Sequence, residues 1–234
     1  MFPHLKDEQR QKESGRRPFL RAGFGALAGL WISRGADADD GLDAGGLSFK
    51  DFAVPDKGAS FNRTDPMLPG GPDSPTVKLV AVDAADGLAR VYFDSVKVEA
   101  SLPLGWQATQ DGERGVGFSG DRKNRMLIWR VDFAFEGVKD ADHYAATKMG
   151  AIRSRNPAVR TEARKLADGT FLIVYDNAPA GRGDAGPRTV FDVLTTKPGS
   201  AKEAVLMTVG VPAADSERGL KLVALLKSKL VITW

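Results

Sequence analysis

The 234-residue chain contains no cysteine. Disulfides, thiolate metal sites, a cysteine nucleophile and a lipid-modified N-terminal cysteine are therefore excluded, which leaves oxygen and imidazole chemistry. Histidine is almost as scarce. His4 sits near the N-terminus, so a Ser-His-Asp arrangement or a histidine metal site in the body of the chain would have to use His143. No apolar run approaches the ~20 residues of a membrane-spanning helix; the best candidate, Ala22 to Ile32, is short and diluted by glycine. No internal repeat is present. What remains, 42% hydrophobic and 27% charged residues, is ordinary globular composition, sufficient for one sizeable core with flanking segments.

The N-terminus carries an address. Arg16-Arg17 is followed by Phe19-Leu20, the modest apolar run, and the small-residue step Ala36-Asp-Ala38. This order resembles a bacterial twin-arginine export signal over residues 1–38, which implies the Tat translocase as a transient partner and the periplasm as destination. Arg34, just past the apolar run, is a charge that the general secretory route avoids, and Asp7, Glu8 and Glu13 argue against an organellar transit peptide. Residues 1–38 hold seven of the 33 bases and four of the 30 acids, so the remainder carries 26 of each. The overall pI near 9.1 thus belongs mostly to the address, and no general electrostatic case for nucleic acid survives.

Residues 39–75, rich in Gly, Pro and Asp, read as an extended arm in which Phe49, Phe52 and Phe61 either dock on the domain or ride a solvated linker. Residues 76–234 read as one α+β domain. Strands are expected over 77–82, 88–93 and 96–102, then, after a loop punctuated by Gly112 and Gly115, over 126–135. That last run alternates, with Leu127, Trp129, Val131, Phe133 and Phe135 on one side and Arg130 and Asp132 on the other, the pattern of a sheet with one covered and one more polar face. A helix follows over 140–155, with Ala141, Tyr144, Ala145, Met149 and Ile152 on one stripe, Asp140 or Asp142 as cap and Arg153 and Arg155 suited to the dipole. Beyond it come strands over 158–166 and 170–176 joined by the turn at Asp168-Gly169, strands over 188–196 and 203–211, a helix opened by Asp215 or Ser216 with Leu220, Val223, Ala224 and Leu226 inward, and an extended end, 230–234. Connections this short imply antiparallel pairing.

Several patterns invite a chemical reading. Gly115-Val-Gly-Phe-Ser-Gly120 and Gly181-Arg-Gly-Asp-Ala-Gly186 both match G-x-G-x-x-G, but neither leads into a helix whose N-terminus could receive a pyrophosphate. His143 falls opposite the apolar stripe of its helix, and capping explains Asp140 and Asp142 beside it. Asp111, Glu113 and Asp132 have no spacing that pairs them for acid-base work. Trp106 either plugs a sheet end or offers a ligand platform. The most uneven charge distribution is the basic run Arg153, Arg155, Arg160, Arg164 and Lys165, joined by Arg122, Lys123 and Arg125, which marks a site for an acidic partner or a solvated face.

Taken together, the Leu102-Pro-Leu-Gly-Trp106 step, the helix 140–155, the Asp168-Gly169 hairpin, the strand Leu206 to Val211 and the closing helix and strand resemble the PsbP-like fold of photosystem extrinsic subunits, Mog-type Ran-binding proteins and DcrB-like envelope proteins. The resemblance implies an antiparallel sheet flanked by helices, an α/β/α sandwich used for binding or assembly, with no cofactor and no metal. DcrB-like members are commonly lipoproteins, which this chain cannot be without cysteine. The expected function is an exported, non-catalytic binding or assembly module acting on an envelope protein or complex. The alternative is a periplasmic small-molecule or hydrolytic enzyme using carboxylates or His143.

Overall fold

The structure, a computed structural model, describes residues 42–54, 77–181 and 184–234. The export signal, with Arg16, Arg17, Phe19, Leu20, Ala36 and Ala38, lies outside them, as does Phe61. In chain order the strands are β1 (Val77–Asp83), β2 (Leu88–Phe93), β3 (Val98–Pro103), β4 (Trp106–Asp111), β5 (Arg114–Ser119), β6 (Arg125–Asp132), β7 (Arg160–Lys165), β8 (Phe171–Ala178), β9 (Arg188–Thr196), β10 (Glu203–Pro212) and β11 (Val231–Ile232). Helix α1 (Ala141–Arg155) separates β6 from β7, and α2 (Ser216–Ser228) precedes β11.

The fold is α+β and antiparallel throughout. Its strands form a seven-stranded sheet in the order β4-β5-β6-β10-β9-β8-β7 and a four-stranded sheet in the order β1-β2-β3-β11. Helix α1 lies on one face of the large sheet, over Phe171, Ile173, Tyr175, Leu194 and Leu206. The small sheet and α2 share the other face, over Met126, Ile128, Leu172, Val193, Val205 and Met207. Because both faces are covered, β6 has no polar side of the kind its alternation suggests: Met126 and Ile128 are as buried as Val131. The strand also ends earlier than expected, at Asp132, whose Oδ1 accepts the N–H groups of Ala134 at 2.8 Å and Phe135 at 3.2 Å and starts a turn that leaves Phe135 exposed.

The stretch between β3 and β6 is not a loop but carries the hairpin β4–β5, residues 106–119. Glycine conceals it. A Cβ built on Gly115 would lie 2.6 Å from the Phe93 ring of the small sheet, and one on Gly117 would lie 3.2 Å from the Leu102 side chain. The strand forgoes β-propensity at these two positions so that the two sheets can close on each other. The first G-x-G-x-x-G pattern is therefore a packing feature, and Gly120 completes it against the carbonyl of Gly105.

The described part of the arm docks. Phe49 and Phe52 join the core beneath the small sheet, the Val54 N–H donates to Leu104 O at 3.0 Å, and the Arg218 guanidinium lies 4.7 Å from the Phe52 ring centroid. Helix α2 buries Leu222, Val223, Ala224 and Leu226, while Leu220 is only half-buried; the inward stripe is turned slightly from the expected one.

Candidate functional site

Strand β7 is an outer strand of the large sheet and, among the described residues, is paired only with β8. Thr161 and Ala163 turn toward α1, where Ala163 packs on the apolar cluster, so Arg160, Glu162 and Arg164 project to the other side. Lys165 extends along the edge with its Nζ 5.6 Å from the Phe171 ring centroid. Arg153 and Arg155 occupy the last turn of α1, which ends at Asn156 and leads directly into β7. All five basic residues are exposed. They form a strip along one edge of the domain, around the sheet rim, rather than a flat face.

Two details limit how much of this charge is available. The Arg160 guanidinium bonds the Asp176 carboxylate across the hairpin, and Thr189 Oγ1 donates to the other oxygen of Asp176 at 3.1 Å. The Arg160 contact, against a smaller opposing push from burial, holds the Asp176 carboxyl below the usual carboxylate range. Arg153 and Arg164, in contrast, make no ion pair among the described residues. The second basic group is not part of the strip. Arg122, Lys123 and Arg125 lie at the β5–β6 turn, four strand spacings from β7, or ~19 Å. There they are spent on the Phe118 ring at 4.9 Å, Asp121 at 3.6 Å and Asp184 at 3.8 Å respectively.

The remaining sequence candidates have structural duties. Asp140 caps α1 by accepting the His143 N–H at 2.8 Å, and His143 Nδ1 accepts the Lys139 N–H at 3.4 Å, so both serve the helix entry. Asp111 pairs with Arg114 across its own turn, and Asp132 holds the turn after β6; they do not converge on each other or on His143. Trp106 is fully buried and donates Nε1–H to Phe52 O at 3.2 Å, which makes it the plug that ties the arm to the sheet. In the second glycine pattern residues 182 and 183 lie outside the described residues, while Asp184 receives Arg188 Nη1 at 2.8 Å.

One polar cluster escaped the sequence. Asp192, 1% exposed at the centre of β9, accepts the Thr208 hydroxyl and lies 2.7 Å from Lys148 Nζ of α1. Lys148 also stands 5.2 Å from the Trp129 ring centroid and 5.7 Å from that of Tyr144. The Tyr175 hydroxyl is buried nearby without a well-formed hydrogen bond. Burial first, and then the Asp192 charge, pushes both Tyr144 and Tyr175 well above the ordinary phenol range, so neither ionises near neutral pH. Burial likewise raises the Glu136 carboxyl. The signal was present: an aspartate between Phe191 and Val193 in an apolar strand requires a buried partner. Which lysine supplies it is set by the packing of α1. Among the described residues no group of His, Asp or Glu could hold a metal ion.

No protein-family model matches the chain, and no curated protein matches it. Among solved structures it is similar to the Saccharomyces cerevisiae Ran-binding protein Mog1p, at 12% identity and a TM-score of 0.42, over 62% of this chain and 95% of that one. It is also similar to cyanobacterial PsbP from Synechocystis, at 14% identity and a TM-score of 0.45, over 66% of this chain and 95% of that one. These are two of the kinds of protein that the order of elements resembles. The likeness is one of backbone path, and no residue role follows from it.

Proposed function

We propose that the chain is a binding or assembly module, exported by the twin-arginine route, which docks on an acidic surface of an envelope protein or complex through the strip formed by the end of α1 and by β7. The observation that carries this reading is the placement of five exposed basic side chains, Arg153 and Arg155 at the end of α1 and Arg160, Arg164 and Lys165 along β7, an edge strand whose outward backbone groups have no partner among the described residues. A row of charge on an edge strand also prevents unspecific strand pairing. It still admits a partner that brings opposite charge, and docking of that kind is steered over a Debye length and weakened by salt. The export route rests on Arg16-Arg17 with Phe19-Leu20, and Arg16→Lys with Arg17→Lys should hold the precursor in the cytoplasm.

The docking half is tested by quantitative capture from envelope extracts with the wild type and with the triple reversal Arg155→Glu, Arg160→Glu and Arg164→Glu. The reading expects one or more proteins retained by the wild type at low salt and lost from the reversal, at an unchanged melting temperature. Equal retention by both proteins would remove the strip as the site.

A further inference from the structure

Another sheet edge among the described residues, β1, has the opposite character. Strand β1 ends the four-stranded sheet and, among the described residues, pairs only with β2. It carries three of the large apolar side chains that remain exposed, Leu79 at 39%, Val80 at 44% and Val82 at 54%. An uncharged apolar stretch on an open strand edge is a template for another strand. We propose that β1 pairs with β1 of a second copy of this chain, antiparallel about a two-fold axis between Val80 and Ala81, joining the two four-stranded sheets into one of eight strands.

Two features of the strand argue for a second copy over an unrelated partner. The first is charge. With the axis between Val80 and Ala81, Lys78 of each chain stands opposite Asp83 of the other, so one register makes two complementary pairs. Asp83 Oδ1 accepts the Asp86 N–H at 2.9 Å, which holds the carboxylate at the end of the strand. The second is the bulge. The β1–β2 register slips between Leu79 and Ala81. Leu79 is opposite Val91 and Val82 is opposite Ala89, two β2 residues that share one face by alternation, whereas Lys78 is opposite Tyr92 and Asp83 opposite Leu88, which share the other face. In a regular strand residues three or five apart point to opposite sides. The bulge removes that conflict, so the proposed register sets Leu79 against Val82 and Lys78 against Asp83 with each pair on one side.

A pair of seven-residue strands buries much less than the ~800 Å² per partner of a standard interface, so association in the micromolar range is expected. Sedimentation equilibrium of the mature protein, over a range from about 1 to 200 μM chosen for so small an interface, should show the mass rising from one copy to two. Lys78→Asp and Asp83→Lys should each remain monomeric across that range, because each places like charges at both pairs. Their equimolar mixture should dimerise again, since each variant then supplies what the other lacks.

The absence of native cysteine permits a test of the register itself. Leu79→Cys mixed with Val82→Cys, with oxidised glutathione as oxidant, should form a mixed disulfide many-fold faster than either variant alone, because residue 79 of one copy faces residue 82 of the other. This arm also decides the matter if a charge variant proves unfolded. A wild type that stays monomeric at the highest concentration overturns the proposal. So does a dimer that persists in both charge variants and shows no preferential 79–82 cross-link, since it would then be built on another surface or on a different register.

Discussion

The two ends of the seven-stranded sheet are built differently. At the β4–β5–β6 end the sheet is closed: Trp106 is sealed under the docked arm, Gly115 and Gly117 let Phe93 and Leu102 of the small sheet reach the backbone, and even the turn arginine Arg122 lies over a ring. At the β9–β8–β7 end the strands step outward from the fully buried Leu194 and Ile173 to an edge whose side chains are mostly charged and exposed. Between the two, Lys148 and Asp192 pin α1 to the centre of the sheet. Stability and surface chemistry are thus separated along one sheet, and the cost of substitution should fall from the closed end to the open one.

The steepest loss is expected at the closed end. Trp106→Ala should cost roughly 3–5 kcal/mol in urea unfolding, from the cavity and the lost bond to Phe52; a cost below about 1 kcal/mol would mean that the arm and sheet end do not form a core there. In the middle, Lys148→Met strands the Asp192 carboxylate in an apolar setting and should cost about 3 kcal/mol. Adding Asp192→Leu should recover much of that, and a double variant no better than the single one would show that the pair is not the pin. Gly115→Ala should cost about 1–3 kcal/mol through the clash with Phe93; a neutral result would separate the two sheets at that point.

The smallest effect belongs to β7. Arg160→Glu should change stability at neutral pH by no more than about 0.5 kcal/mol, as an exposed pair allows. Its signature is in the acid limb. The Asp176 carboxyl is held below its ordinary value in the folded protein, so its contribution is present above the unfolded value and lost as pH falls through the lowered one. Without Arg160 that carboxyl should titrate higher, nearer its unfolded value, and the share of the acid loss of stability that Asp176 contributes should shrink. Carboxyl chemical shifts of Asp176 followed against pH would show it; an unmoved titration would mean that Arg160 does not engage it.

Much of this gradient was legible in the sequence where side chains alternate or repeat on a helical stripe. Asp140, Tyr144, Ala145 and Met149 placed α1, and the turn at Asp168-Gly169 placed the β7–β8 hairpin, because these patterns are local. The closed end was hidden because its determinants act between sheets. Gly115 and Gly117 weaken a strand by every local measure and are explained only by what stands opposite them. The same applies to Asp192, whose partner lies 44 residues away on α1. The site was half legible: charge along 153–165 pointed to the strip, but only strand order shows that Arg122, Lys123 and Arg125 belong to the far end of the sheet.

The claim that the open end is the working end is tested most directly by measuring, on the same preparations, the melting temperature and the affinity for the partner retained from envelope extracts, for the wild type and the triple reversal at Arg155, Arg160 and Arg164, at low and high salt. The account predicts one melting temperature for both proteins, with binding that salt weakens in the wild type and that is absent in the reversal. Wild-type affinity in the reversal at low salt would contradict it.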